Sequence, residues 1–287
     1  MAKMLSDTLE TIEKYKSTTP HYSELLDILG EILILREEYR RKIKETIFPV
    51  DEKLLDSKIN GGLPLVDMVS GNFDLTEPRK YFLALLGIAK KRVPGETGDI
   101  IERIENNSVD FEKMVRASFY SMDDEAANIE EDSGELETFG DDVFDLVDLF
   151  LEESLRPAME NVVEKYGKRV AELGWSEGYC PICGREPKIG EIKGKDEDGR
   201  RYLFCNQCGF EWHFKRIVCP FCGNDEQQEL AFFTIDGDER YRVDVCNVCK
   251  RYIKMVDFRE SKEEANLDVE DIATLHLDVL ANEEGYN

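Results

Sequence analysis

Four Cys-x-x-Cys pairs are the residues of this sequence whose type and spacing could do chemistry. They contain all the cysteines of the 287-residue chain and lie within a 70-residue window: Cys180/Cys183, Cys205/Cys208, Cys219/Cys222 and Cys246/Cys249. A Cys-x-x-Cys turn, or knuckle, directs two sulfurs at one ion, and two knuckles complete a tetrahedral four-sulfur site that zinc or iron accepts. The sequence therefore predicts two metal sites and two metal ions per chain.

The segments between the knuckles indicate which pairs share an ion. Residues 188–193 and 202–204 flank the turn Asp198-Gly199, and residues 230–235 and 241–245 flank the turn Asp236-Gly237. Asp-Gly between extended segments predicts a hairpin. Each half is thus knuckle, hairpin, knuckle, and the first cysteines of the halves are 39 residues apart. This indicates an internal duplication of a zinc-ribbon or rubredoxin-like unit.

Sequential pairing of the knuckles follows from this duplication, with a crossed arrangement as the alternative. Site 1 is predicted to comprise Cys180, Cys183, Cys205 and Cys208. Site 2 is predicted to comprise Cys219, Cys222, Cys246 and Cys249. Four thiolates suit structural zinc and redox-active iron alike, so the metal stays open. Thioredoxin-like dithiols are disfavoured, because that motif normally occurs once beside a βαβ pattern.

Residues around the knuckles have supporting roles in this interpretation. Gly184, Gly209 and Gly223 each follow the second cysteine of a knuckle, where a positive φ lets backbone amides approach the sulfurs. Lys250 takes that place in the last knuckle. His213 lies between two aromatic residues near the second knuckle, and we expect it beside the site or in the core, not as a ligand.

Long amphipathic patterns precede the metal module, so the predicted fold class is α+β. Residues 1–173 are predicted to form an acidic helical domain, with Pro157 beginning a new helix and residues 123–137 forming an acidic loop. Two ribbons follow, and then a C-terminal helix that packs on the body. Their predicted bounds are 174–215, 216–262 and 263–287.

Charge is distributed unevenly along the chain. Its formal net charge is −25, yet residues 180–259 hold 14 basic and 14 acidic residues, leaving 23 basic and 48 acidic residues elsewhere. Such a surface repels nucleic-acid phosphates and anionic lipids. No apolar run reaches the roughly 18 residues of a membrane span. We therefore expect no nucleic-acid partner and no membrane insertion, and the clustered cysteines favour the reducing cytoplasm.

Catalytic motifs are scarce. The chain has three histidines, and it contains no glycine-rich phosphate loop, nucleophile elbow or His-Glu-x-x-His. The sequence therefore predicts a protein that is not an enzyme.

The knuckles and their flanks resemble the formate dehydrogenase accessory protein family, FdhE. The motifs that carry the resemblance are Cys-Pro-Ile-Cys-Gly at 180–184, Glu-Trp-His at 211–213, Arg-Ile-Val-Cys-Pro-Phe-Cys at 216–222, Cys-Asn-Val-Cys-Lys-Arg-Tyr-Ile-Lys at 246–254 and Asp-Ile-Ala-Thr-Leu-His-Leu-Asp at 271–278. The resemblance is close over residues 178–287. In the helical part it is looser, although Gly-Leu-Pro-Leu at 62–65 is similar.

This resemblance implies a cytoplasmic maturation factor that binds the catalytic subunit of formate dehydrogenase and holds iron through its paired cysteines, as rubredoxins do. The residues themselves leave two alternative functions open. A zinc-ribbon nucleic-acid binder would need a basic stripe, which the neutral module lacks. A rubredoxin-like electron carrier would need reversible iron chemistry.

Overall fold

The computed structural model describes residues 5–43, 47–68, 71–92, 94–106, 108–118, 141–194, 199–235, 238–261 and 263–287. The predicted acidic loop at 123–137 lies outside these residues, as do Asp198 of one predicted turn and Asp236-Gly237 of the other. The predicted α+β class is confirmed, because helices precede a sheet that carries the knuckles.

Seven helices lie before the first knuckle in the described part of the chain. They are α1 (Leu5–Thr18), α2 (Ser23–Lys42), α3 (Leu55–Asn60), α4 (Thr76–Lys90), α5 (Pro94–Glu105), α6 (Phe111–Ala117) and α7 (Asp141–Glu172). The start of α6 shows why the chain becomes helical there. Asp110 keeps an extended conformation, and its carboxylate accepts hydrogen bonds from the amides of Glu112 and Lys113. These bonds satisfy donors that the first turn leaves free.

Pro157 does not begin a helix, contrary to the prediction, because α7 continues through it. A proline inside a helix removes one backbone hydrogen bond and costs about 3 kcal/mol. The neighbouring side chains explain why the helix continues. Leu155, Ala158, Met159 and Val162 are all buried. Their burial offsets the lost bond, and this tertiary contribution is absent from the local sequence pattern.

Two compact units divide the described chain. One contains residues 1–30, 50–65 and 163–287, and the other contains residues 31–49 and 66–162. The first unit therefore combines α1 and α3 with both ribbons. The domain boundaries at 173, 215 and 262 stay a prediction.

Six strands of the first unit form one sheet. They are β1 (Ile189–Lys193), β2 (Arg200–Phe204), β3 (Glu211–Phe214), β4 (Leu230–Ile235), β5 (Asp238–Cys246) and β6 (Tyr252–Val256). Their order is β3-β2-β1-β6-β5-β4. Each half supplies an antiparallel three-stranded ribbon, and β1 joins β6 in parallel, with Ile189 opposite Lys254. The two halves thus share one continuous sheet.

Two short helices pack against this sheet instead of the one predicted C-terminal helix. They are α8 (Leu267–Ala273) and α9 (Leu275–Glu283). Thr274 separates them with a non-helical backbone, and its hydroxyl donates to the Glu270 carbonyl at 2.6 Å. The helices and one face of the sheet share an apolar core. It contains Ile189, Phe204, Tyr241, Val243, Val245, Val256, Phe258, Leu267, Leu277 and Ala281.

The second unit has its own core, made by α4 and its neighbours. Tyr81, Phe82, Leu85 and Leu86 are fully buried. An ion pair inside this unit is bidentate, since Arg36 Nε and Nη2 each donate to a Glu153 carboxylate oxygen at 2.7 Å. The Tyr81 hydroxyl donates to the same carboxylate at 2.7 Å. These bonds satisfy the buried Arg36–Glu153 ion pair.

None of the described helices is both long enough and apolar enough to span a bilayer.

Candidate metal centres

Site 1 is a buried cluster of four thiols. The structure brings together Cys180, Cys183, Cys205 and Cys208, and their sulfurs all lie within 4.8 Å of one another. Cys180 Sγ is 3.4 Å from Cys208 Sγ, and Cys183 Sγ is 3.4 Å from Cys205 Sγ. A disulfide would place two sulfurs about 2.05 Å apart, so all four cysteines are free.

Site 2 repeats this arrangement nearer the surface. It comprises Cys219, Cys222, Cys246 and Cys249. Cys219 Sγ lies 3.7 Å from Cys249 Sγ, and Cys222 Sγ lies 3.7 Å from Cys246 Sγ. Cys222 is exposed and Cys249 is half-buried, whereas all four cysteines of site 1 are buried. The structure thus groups the eight cysteines in the sequential pairing.

Each cluster has the dimensions of a tetrahedral metal site. Zinc–sulfur bonds of about 2.3 Å place the sulfurs of a tetrahedron about 3.8 Å apart. The observed separations of 3.4 and 3.7 Å are close to this value. Each cluster can therefore hold one metal ion. The ligand role of the eight cysteines stays a prediction, as does the choice between iron and zinc.

All four knuckles share one backbone hydrogen-bond pattern. The amide of the first cysteine donates to the carbonyl five residues later, and the amide four residues later donates back to the cysteine carbonyl. In the first knuckle these bonds join Cys180 to Arg185 and Gly184 to Cys180, at 2.8 and 2.9 Å. The other three knuckles repeat both bonds. This common geometry explains why local spacing alone predicted the knuckles.

The residue after each second cysteine has a positive φ. Gly184, Gly209 and Gly223 have φ of 79°, 72° and 73°, and Lys250 has a φ of 60°. Lys250 is the one non-glycine residue with positive φ among those described. This left-handed conformation favours glycine because it crowds a Cβ atom.

Different backbone amides of the first knuckle contact a carbonyl and a sulfur. The Gly184 amide donates to a carbonyl, while the Ile182 amide is the one that lies 3.4 Å from Cys180 Sγ. His213 lies exposed on β3, with its ring edge-on to Tyr202 at 5.7 Å between centroids. Supporting roles for His213 and the glycines around the sulfurs stay a prediction.

One thiol in each cluster, Cys205 in site 1 and Cys246 in site 2, has a lowered pKa. Burial raises the pKa of the Cys180 and Cys208 thiols well above the usual value. Burial also opposes ionisation of Cys205, but hydrogen bonds from the other three thiols outweigh it and hold its pKa well below the usual value. At Cys246, burial is outweighed by amides of its own knuckle, which lower its pKa. Because metal must displace the remaining protons, we expect binding to weaken as the pH falls.

A loop from the helical part of the sequence packs on the first knuckle. The Leu65 amide donates to the Pro181 carbonyl at 2.8 Å, and the Tyr179 hydroxyl donates to the Gly62 carbonyl at 2.7 Å. A Cβ at Gly184 would lie 3.1 Å from Pro64 Cγ. The motif at 62–65 therefore lies against site 1, although about 115 residues separate the two in sequence.

The sequence patterns did not predict three buried charged residues of the first unit. Arg201 on β2 and Lys254 on β6 are each 2% exposed, and Glu270 on α8 is 1% exposed. The strand register places Arg201 and Lys254 at buried positions on opposite faces of the sheet, and β6, which carries Lys254, was not predicted. A charged residue at an inward position of an alternating strand is the signal that would have found Arg201.

The fold and its two clusters define a class: a metal-binding protein with a tandem four-cysteine ribbon. Residues 179–216 match the family model "FdhE, central domain", and residues 217–287 match "FdhE, C-terminal domain". The resemblance to the FdhE family is confirmed over residues 179–287.

Similar proteins extend the comparison over the rest of the chain. A "Protein FdhE homolog" from Aquifex aeolicus (strain VF5) is 27% identical over 279 residues, which are 97% of this chain and 90% of that protein. "Protein FdhE" from Escherichia coli O1:K1 / APEC is 27% identical over 210 residues, 72% of this chain and 62% of that protein.

A solved structure has the same fold. The crystal structure of the FdhE protein from Pseudomonas aeruginosa matches with a TM-score of 0.67 and 22% identity. The match covers 99% of this chain and 93% of that one.

Proposed function

We propose that this chain is an accessory factor for the maturation of formate dehydrogenase. It binds the catalytic subunit of that enzyme in the cytoplasm and catalyses no reaction itself. The observation that carries the proposal is the tandem pair of four-cysteine clusters on residues that match the FdhE central and C-terminal domains. Homologues of this family suggest a formate dehydrogenase accessory protein, and binding to the catalytic subunit is the finer step that we add.

Closed coordination supports a non-catalytic role. Each cluster offers four thiols to one ion, so a tetrahedral metal would have all its ligands from the protein. Catalytic metal sites normally keep a position open for water or substrate, whereas structural sites are closed. Metal in these clusters therefore stabilises the ribbons and shapes their surface.

Charge supports a protein partner over a nucleic acid. The net charge of −25 repels phosphate backbones, and residues 180–259 are neutral. A zinc ribbon that binds DNA or RNA needs a basic face. We therefore expect no salt-dependent retention on immobilised DNA or RNA.

Metal identity decides whether the protein also transfers electrons. We expect two equivalents of iron or zinc per chain in anaerobically purified protein, measured by elemental analysis. Iron with a visible spectrum that bleaches and recovers on reduction and reoxidation would support a redox contribution. Zinc alone would exclude that contribution and leave the binding role unchanged.

Anaerobic affinity purification from the native extract tests the partner. Three variants accompany the native protein: Cys180→Ser in site 1, Cys222→Ser in site 2, and Val248→Ser as the matched control. Val248 lies within a knuckle, is 59% exposed and is not a predicted ligand. We expect the formate dehydrogenase catalytic subunit to co-elute with the native protein and with Val248→Ser, and to be lost with both cysteine variants. Recovery of ribosomes or nucleic acid in its place would overturn the proposal.

A further inference from the structure

A cavity of about 450 Å³ lies beside the second metal centre. Its wall includes Cys219 and Cys246 of site 2, and also Arg201 from the first ribbon. Apolar side chains form much of the rest, including Phe221 and Phe232. Pockets of roughly 300–1,000 Å³ with apolar walls and a few polar groups are typical of small-ligand sites.

The charge of this cavity is opposite to that of the chain. Four arginines line it, and one acidic residue, Asp244, is among the described lining residues. The arginines are Arg201, Arg216, Arg242 and Arg251. Four arginines against Asp244 leave three positive charges, and a divalent ion held by four thiolates in site 2 would balance about two of them. The positive charge that remains, in a chain with a net charge of −25, favours an anionic ligand.

Arg201 has two donor nitrogens without a hydrogen-bond partner in the described part of the chain, whereas Arg242 of the same cavity has one. The Arg201 side chain is 2% exposed, and its Nη1 donates to the Arg216 carbonyl at 3.1 Å and lies 3.8 Å from Asp244 Oδ2. Its Nε and Nη2 have no hydrogen-bond partner among the described residues. These two nitrogens form one edge of the planar guanidinium, and such an edge binds a carboxylate through two parallel hydrogen bonds. Burial also lowers the pKa of the Arg201 guanidinium, so this cation lacks full compensation.

Two other arginines of the cavity are already held in place. Arg251 donates to Glu186 at 2.7 Å, and its guanidinium carbon lies 3.9 Å from the centroid of the Phe221 ring. Arg242 Nε lies 2.9 Å from Asp244 Oδ1, and the Arg242 guanidinium carbon lies 5.3 Å from the Phe232 centroid. The arrangement therefore combines aromatic surface with one buried guanidinium edge that lacks a hydrogen-bond partner among the residues described.

We propose that this cavity binds a carboxylate carried on an apolar body. The Nε and Nη2 edge of Arg201 holds the carboxylate, and Phe221 and Phe232 contact the apolar part. Phe232 is 62% exposed, so an incoming ligand can reach it. A free organic acid and the carboxyl terminus of a peptide share this chemistry. The site is independent of the proposed function, because it follows from the cavity alone.

Calorimetric titration of the metal-loaded full-length protein tests the ligand class. The first pair of probes is 3-phenylpropionate and its neutral amide, and the second pair is a tetrapeptide ending in phenylalanine with a free or an amidated terminus. We expect at least one carboxylate to bind saturably and its amide to bind at least about tenfold more weakly, or about 1.4 kcal/mol. The pair that binds identifies the source. Equal binding of acid and amide, or no binding by either acid, would overturn the proposal.

Variants test the assigned residues. Arg201→Met should weaken carboxylate binding at least tenfold, while the control Arg200→Met, at an exposed position next to it on β2, should leave binding unchanged. Phe232→Asp should also weaken binding severalfold, because it removes aromatic contact and adds negative charge. Because Phe232 is exposed, Phe232→Asp can still test the proposal if Arg201→Met fails to fold. Full affinity in both Arg201→Met and Phe232→Asp would contradict the assignment.

Discussion

Lys254 Nζ lies 2.6 Å from Asp278 Oδ2, and this ion pair joins the last strand of the sheet to the last helix. Lys254 is 2% exposed and stands in register with Ile189 and Val243, both fully buried. Its ammonium also lies 2.8 Å from Asp271 Oδ1. A cation within an apolar core is tolerated because two carboxylates surround it.

Replacing this lysine should be costly. Lys254→Met keeps the apolar stem but leaves two carboxylates without their cation, so we expect a loss of about 3–5 kcal/mol of unfolding free energy. Urea unfolding measures it. The control Lys188→Met removes an exposed lysine just before β1 and should change stability by less than about 0.5 kcal/mol. Similar losses in the two variants would contradict the structural role of Lys254.

Knuckle glycines offer a matched pair of substitutions. A Cβ at Gly223 would meet no described atom within 4 Å, so Gly223→Ala tests backbone strain alone and should cost about 1 kcal/mol. Gly184→Ala should cost more, because its Cβ would also crowd Pro64 Cγ at 3.1 Å. Lys250→Gly should increase stability, because glycine adopts the positive φ at this position without strain. Thermal unfolding of the metal-loaded variants checks the order, and equal costs at Gly184 and Gly223 would contradict the contact with Pro64.

A buried carboxyl should make stability depend on pH. Glu270 accepts hydrogen bonds from the Tyr15 and Tyr241 hydroxyls, at 2.8 Å each, and burial raises its pKa. A carboxyl whose pKa is higher in the folded than in the unfolded protein contributes stability below the unfolded pKa, and this is lost as the pH rises through the folded pKa.

Glu270→Gln should therefore gain stability relative to the native protein as the pH increases above about 4.3, the usual glutamate value. Urea unfolding of both proteins between pH 4.5 and 8 measures this difference. Glu283→Gln, which changes an exposed residue of α9, serves as the control and should show a constant difference. A difference for Glu270→Gln that does not vary with pH would contradict the burial effect.

The two centres should release metal at different rates. Cys222 of site 2 is exposed, whereas site 1 is fully buried, so a chelator reaches site 2 first. We expect two phases of metal release to a chromogenic chelator such as 4-(2-pyridylazo)resorcinol. Cys222→Ser should remove the fast phase and Cys180→Ser the slow phase. Loss of the slow phase in Cys222→Ser would reverse the assignment.

Local sequence signals accounted for much of the metal module. The grouping of cysteines, the positive φ at 184, 209 and 223, and the hairpins β1–β2 and β4–β5 all follow from the spacing of residues near one another in the chain. β3 and β6 escaped prediction because each follows a knuckle and neither flanks one of the Asp-Gly turns that marked the two hairpins.

Helix limits were less predictable than knuckles. Pro157 predicted a helix start, but burial of the surrounding side chains carries α7 through it. Thr274 divides the single helix predicted for the C-terminal segment into α8 and α9. In both places tertiary packing outweighs the local preference of the backbone.

The sequence by itself determined the two four-cysteine sets, the duplicated ribbon, the order of helices before strands and the likeness to the FdhE family. Only the tertiary structure decided that β1 pairs with β6, that Lys254 and Glu270 are buried and satisfied, and that Arg201 meets site 2 at one cavity. The physical reason is the range of the interactions. Knuckles and hairpins are specified by neighbours within a few residues, whereas burial and cross-ribbon contacts arise only when distant segments pack together.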